Sequence, residues 1–295
     1  MSAPERVPPR RMTRQTTREV LARGALRVRG RIPRASNAVL FGVAEEAGRQ
    51  VPCVYKPVAG ERPLWDFPDG TLAQREVAAY EVSEAAGWGL VPVTVLRDGP
   101  YGEGMCQEWI GPLPGTDEAD GPETDEPEAD LDEDAGALLA VVEGDEPGPG
   151  WKAVGAVQTE DDTPALLVHA DDERLRLLAV LDAVINNADR KGGHLLPAPD
   201  GRLYAIDHGV TFHVDDKLRT LLWGWAGEPL PSEARTALRR LSAALAEGTP
   251  LTERLSALLT APEVEALRKR VEALLAAGRH PLPGGDWPAI PWPPV

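Results

Sequence analysis

The stretch "INNADRKGGHLLPAPDGRLYAIDHG", residues 185–209, sets two aspartates, Asp189 and Asp207, on either side of a Pro-Asp-Gly turn. The run before it, "DDERLRLLAVLDAVINN", has a helical period. Leu177, Leu178, Leu181, Val184 and Ile185 recur at i, i+3, i+4, i+7 spacing. The helix is expected to end at Asn186 or Asn187. "HLL" then reads as a short strand, "PAPDG" as a turn and "RLYAI" as the returning strand. A hairpin brings its two ends together, so Asp189 and Asp207 should meet in space. Leu203, Ala205 and Asp207 share one strand face.

Two acids converging beside amides and a histidine allow three chemistries: a glycosidase carboxylate pair, a hard-cation site, or the base and metal-binding acid of a phosphotransferase. They also allow a bland reading, in which each Asp bonds a local amide in its turn. The upstream sequence favours phosphoryl transfer. Residues 25–32, 38–44 and 51–57 read as strands, and the third, ending "CVYKP", places Lys56 at its end. The segment "TLAQREVAAYEVSEAAGWG" follows. Thr71 and Gln74 stand at capping-box spacing, Glu76 lies in the helix, and Gly87 is a fitting stop. "LVPVTVLRD" and "GMCQEWI" read as a hairpin. A strand Lys, a helix Glu, a strand leading to a linker, an Asp loop, a hairpin and a second Asp form the part order of a kinase.

The joint pattern "VLDAVINNADRKGGHLL…LYAIDHGVTF" resembles the catalytic and metal-binding segments of the phosphatidylinositol 3- and 4-kinase superfamily. It is most similar to type II phosphatidylinositol 4-kinases and their bacterial relatives, and more distantly similar to HipA-type protein kinases. The resemblance is strongest over 171–213 and weaker over 30–112. It implies an α+β, bilobal protein-kinase-like fold: a β-rich N-lobe with one key helix and a mostly helical C-lobe. It implies ATP and Mg²⁺ or Mn²⁺ as cofactors. Lys56 would contact the nucleotide phosphates and Glu76 would hold Lys56, with Glu81 or Glu84 as other candidate partners. Ser36 and Asn37, in "PRASNA", stand where a phosphate-covering loop would be. Gln107, Glu108, Trp109 and Ile110 would form the hinge against adenine. Asp189 would orient or deprotonate the acceptor hydroxyl, Asn187 and Arg190 would brace its loop, and Asp207 would chelate metal. At the position of the family's metal-binding Asn this chain has His194. Imidazole suits Zn, Mn or Fe better than Mg. His194 is therefore open to three readings: a metal ligand, a phosphate-binding cation, or the mark of weak or lost catalysis. His208 could simply pack.

Charge is distributed unevenly. Most of the net charge of −16 comes from residues 113–150, which hold 14 Asp or Glu and no Lys or Arg. Such a segment buries too little apolar surface to offset its ordering entropy. The organisation expected is a disordered basic arm at 1–18, an N-lobe at 19–112, an acidic insertion or linker at 113–164 without a catalytic part, and a C-lobe at 165–295. The first 34 residues carry ten Arg and no Lys. A solvated arm is the expectation there, with no nucleic-acid partner. Cys53 and Cys106 show no metal or redox spacing, which suits a cytosolic protein. No apolar run approaches the ~18 residues that span a bilayer, so no integral membrane contact is expected. The partners implied are a nucleotide and a phosphate acceptor, either protein, small molecule or lipid headgroup. A nucleotide-binding pseudokinase and a nucleotidyl transferase on the same fold are the rival readings.

Overall fold

Alternation in "RQVPCVYKP" decides how the first sheet is faced. In β3 (Arg49–Pro57), Val51, Cys53, Tyr55 and Pro57 are buried, so the intervening Lys56 points from the other face. The computed structural model describes residues 12–32, 38–68, 72–114, 138–158, 163–284 and 288–294. With β1 (Ala25–Arg31), β2 (Leu40–Glu46), β4 (Thr94–Gly99) and β5 (Gly102–Glu108), β3 forms an antiparallel sheet of order β1-β2-β3-β5-β4. Lys56 lies opposite Met105 of β5 in that ladder.

Two helices pack on this lobe. The first, α1 (Arg14–Arg23), starts within the stretch expected to be a disordered arm. Val20 and Leu21 are buried. Arg14 and Arg18, one turn apart, meet Glu84 and Glu81. Those acids lie in the second helix, α2 (Leu72–Ala86), far along the chain, so local composition could not show the pairing. The expected cap Thr71 lies outside the described residues. The first amides of α2 instead donate to a distant side chain: Leu72 N and Ala73 N reach the two carboxylate oxygens of Glu61 at 3.0 and 2.8 Å.

The second lobe is built on α3 (Glu173–Ile185), which Asp172 caps and which is buried along most of its length. Leu175 replaces the expected Leu177 on its fully buried stripe. The hairpin β9 (Leu195–Pro197) and β10 (Leu203–Ala205) follows as expected, with Leu195 opposite Ala205. Helices α4 (Ser232–Ala244), α5 (Pro250–Ser256) and α6 (Ala261–Ala277) complete the lobe. The tail then returns: Ala289 O accepts from Thr220 N and Trp223 Nε1, and Pro294 O accepts from Gly192 N. The molecule is an α+β fold of two lobes. Among the described residues, no helix is long and apolar enough to cross a membrane.

The acidic segment is corrected in part. Strands β6 (Leu139–Glu143) and β7 (Trp151–Gln158) fall inside it and flank β8 (Pro164–Ala170) in an antiparallel sheet. Leu138, Leu139, Leu167 and Val168 are buried there. Averaging over the long acidic run conceals the short apolar stretch "ALLAVVE", which has strand character of its own. This sheet meets the C-lobe through His169. Its Nδ1–H donates to Ala170 O at 2.9 Å, and its Nε2 accepts from Gly224 N at 3.0 Å. The neutral ring satisfies both bonds. A side chain at Gly224 would strike His169 Nε2 at 2.5 Å, so the close approach requires glycine.

Burial lowers the pKa of His169, and burial followed by nearby Arg176 takes His280 from 6.5 down to about 4. Both rings therefore favour the neutral form in the folded chain. Their contribution to stability is complete above the unfolded value and declines as pH falls through it towards the folded value. For His280 alone the span corresponds to roughly 3 kcal/mol. Urea unfolding should show stability falling between about pH 7 and pH 5. A His280→Phe variant should show a shallower fall. An unchanged slope in that variant would remove His280 as a source.

Candidate active site

Asp189 and Asp207 do come to one cleft, as the hairpin geometry requires. A cavity of about 280 Å³ between the lobes is lined by Lys56, Glu61, Glu76, Asp189 and Asp207, with Gly209 beside them. Lys56 joins three elements. Its Nζ donates to Glu76 Oε1 at 2.7 Å and to Asp207 Oδ1 at 3.0 Å. Glu76 is nearly fully buried, and its second oxygen accepts from the backbone N–H of His208 at 2.9 Å. Glu76 is thus the partner of Lys56. Glu81 instead pairs with Arg18 and Arg254, and Glu84 with Arg14.

Burial opposes the charge on Lys56, but Asp207 and Glu76 outweigh it and hold its pKa above the ordinary lysine value. The Lys56 ammonium in turn holds the Asp207 carboxyl well below the usual carboxylate range, against its desolvation. The Asp207 side chain is 52% exposed, so the cleft is open to small ions and water on that side. Asp207 adopts a left-handed backbone, φ 60°. Such a conformation is uncommon outside glycine, although Asp and Asn tolerate it better than most residues.

The loop carrying Asp189 is held from beneath. Asn186 ends α3 in a left-handed conformation, φ 53°, and its side chain bonds His213 O and Asp215 O. Asn187 Nδ2 donates to Asp182 Oδ1 at 3.0 Å, and Asn187 Oδ1 accepts from Asp189 N at 3.0 Å. Arg190 and Asp182 are both fully buried and paired at 3.0 Å. The same guanidinium donates to Ile206 O at 2.8 Å and to His208 Nε2 at 2.7 Å. One buried cation therefore ties α3, the Asp189 loop and the segment before Asp207 together. Burial, then Arg190, keeps the His208 pKa well below its usual value, so the ring accepts from Arg190 as neutral imidazole. Asp182 escaped the reading of the sequence. The signal for it was there: a single acid within the apolar run "LLAVLDAVI".

His194 sits 3.4 Å from Asp207 Oδ2 through Nε2. The backbone N–H of Lys191 is directed at its Nδ1, 3.3 Å away. Burial lowers the pKa of His194. A neutral ring with Nδ1 accepting carries its proton on Nε2, facing Asp207.

The residues expected to form a hinge make other contacts. Gln107 is buried and donates to Thr94 Oγ1 at 2.9 Å. Glu108 N and Trp109 N are spent on Val93 O and Pro52 O, and the Trp109 ring packs edge-on against Phe41. Gln107, Glu108, Trp109 and Ile110 do not line the cavity that holds Lys56 and Asp207. Ser36 and Asn37 lie outside the described residues.

The C-lobe also fixes α2. Buried Arg75 pairs with Glu263 of α6 at 2.6 Å and donates to Thr211 O at 2.7 Å. Arg254 of α5 reaches Glu81 at 2.7 Å. These contacts set the helix that presents Glu76.

Compared with known proteins, the chain is 46% identical over 283 residues to "Protein Rv2133c" of Mycobacterium tuberculosis (strain ATCC 25618 / H37Rv). The match covers 93% of this chain and 94% of that protein. The chain belongs to the Rv2133c family. Membership of the Rv2133c family leaves the reaction to be argued from the site. No family model matches the chain. Among solved structures, hydra Fam20 with sugar is similar at a TM-score of 0.47 and 13% identity, covering 88% of this chain and 86% of that one. The Golgi casein kinase with Mn/ADP bound is similar at 0.44 and 14%, covering 90% and 75%. The Helicobacter pylori proinflammatory kinase CtkA is similar at 0.40 and 9%, covering 88% and 94%. Likenesses this distant say nothing of this chain's chemistry.

Proposed function

We propose that the protein is an ATP-dependent, metal-requiring phosphotransferase, a reading in line with the motif resemblance to phosphatidylinositol 3-/4-kinase-like enzymes. The observation that carries it is the bridging of Lys56 to Glu76 and Asp207 at the mouth of the cleft that also holds Asp189. A glycosidase pair would not explain a buried Glu devoted to orienting a lysine between the lobes.

In this reading Lys56, held by Glu76, neutralises the nucleotide phosphates. Asp189 accepts the proton of the acceptor hydroxyl as that oxygen bonds to the γ-phosphorus and ADP leaves. Asn187 and Arg190 hold Asp189 at the angle this requires. Among the described residues no group of three or more His, Cys, Asp or Glu could hold a metal ion. A site with one or two carboxylates nonetheless suits Mg²⁺, which keeps waters and takes ligands from substrate phosphates. Asp207 would hold such an ion, which when bound would stabilise charge on the phosphoryl oxygens.

His194 is best read as a positioning residue, its Nε2–H donating to Asp207, because its Nδ1 faces a backbone donor. A ring bound to metal through Nε2 would carry a proton on Nδ1 against the Lys191 N–H. His194→Ala should lower kcat about tenfold, the scale of one hydrogen bond to a charged group. The ratio of Mg²⁺- to Mn²⁺-supported activity should stay unchanged. A shift in that ratio towards Mg²⁺ would make His194 a ligand.

The reaction is tested with ATP labelled in the γ or the α position, with Mg²⁺ or Mn²⁺ and candidate protein, polyol and lipid acceptors. Label moving from the γ position supports the proposal. Transfer only from the α position indicates nucleotidyl transfer. ATP-dependent thermal stabilisation without transfer of either label indicates a pseudokinase.

A further inference from the structure

A larger cavity is remote from this cleft. It measures about 640 Å³ and lies in the C-lobe between α3, α6 and the segment after α6. That size is within the roughly 300–1,000 Å³ of small-molecule sites. Its walls are apolar, with Ala183, Leu218, Trp223, Leu274 and Leu282 among them. Leu282 and Val214, which also lines it, are 70% and 48% exposed, so apolar surface faces solvent here.

The polar groups around it are mostly of one sign. Among the described residues, Lys269, Arg270 and Arg279 line the cavity, against the single acid Asp216. This is a basic patch on a chain of net charge −16. Two buried nitrogens at the cavity have no hydrogen-bond partner among the described residues: Arg270 Nη2 and His280 Nε2. His280 is 5% exposed, so its unpaired ring nitrogen is a cost to the fold. Arg270 is anchored by its other nitrogens, Nε to Val184 O and Nη1 to His213 O, both at 3.0 Å. The guanidinium is therefore held in place ahead of any ligand. Burial lowers the Arg270 pKa to about 10, which leaves it cationic at neutral pH.

The geometry points to an amphiphilic anion as the ligand of this cavity: a carboxylate set on an apolar chain or ring. The carboxylate meets the basic group of Lys269, Arg270 and Arg279, and the apolar body covers Trp223 and Leu274. This site is independent of the reaction at the Lys56 cleft.

Isothermal titration calorimetry with monomeric decanoate, 1-decanol and decyltrimethylammonium tests it. Decanoate should bind. Decanol should bind roughly tenfold more weakly or worse, for want of a charged partner to Arg270, and the cation should not bind. Ala273→Trp, at an exposed helix position that lines the cavity, should weaken decanoate binding at least about tenfold by filling the space, with the melting temperature unchanged. Arg270→Gln should weaken decanoate and leave decanol unaffected. Absence of decanoate binding, equal binding of decanol, or full binding by Ala273→Trp would each overturn the proposal. So would association with phosphatidylglycerol vesicles but not with monomeric decanoate, because that outcome assigns the patch to a membrane surface.

Discussion

Asp207→Asn is expected to lower γ-phosphoryl transfer by about 10³-fold or more, the scale of removing a preorganised charge-stabilising group. The substitution suits its backbone. Asp207 sits at φ 60°, and Asn tolerates that conformation as well as Asp, whereas Ala would add strain. Asn also keeps an oxygen near Lys56 and His194. The fold should therefore survive, and the loss should lie in kcat and in the metal concentration needed. Lys56 would still have Glu76 at 2.7 Å. Initial rates with labelled ATP over a range of Mg²⁺ concentration provide the check, beside a melting curve. Rates within a few-fold of the parent would remove Asp207 from the reaction.

The largest effect on stability is expected at Asp182. Asp182→Ala leaves Arg190 a fully buried cation without its counter-charge. Breaking a buried pair from one side costs about 3–5 kcal/mol. Ile206 O and the neutral ring of His208 remain as partners, but neither is charged. Asn187 would also lose its bond to Asp182, and with it part of the support under Asp189. Urea unfolding measures the loss. A double variant, Asp182→Leu with Arg190→Met, should recover part of it, because the uncompensated charge is then gone. If Asp182→Ala unfolds within about 1 kcal/mol of the parent, the pair is not the fastening described.

The candidate site was legible where its logic is local. The helical period before Asn186, the Pro-Asp-Gly turn and the strand alternation through Asp207 brought the two aspartates together from spacing alone. Lys56 was legible for the same reason: it interrupts an apolar strand whose other face must be buried. Contacts made across the chain were not legible. Glu61 caps α2 from eleven residues away, and Arg14 and Arg18 fold the basic arm by meeting acids more than sixty residues distant. Nor was it legible that the Gln107 side chain turns into the sheet to Thr94, because strand periodicity does not say which partner a buried polar side chain takes.

What the sequence by itself determined is the order of parts and the meeting of Asp189 with Asp207, because period and turn chemistry act over a few residues. The tertiary structure alone decided that Glu76 holds Lys56, that Asp182 and Arg190 fasten the loop beneath Asp189, and which ring nitrogen of His194 faces Asp207. Each of those depends on burial and on partners from distant segments, and the energy of a buried charge is set by what surrounds it.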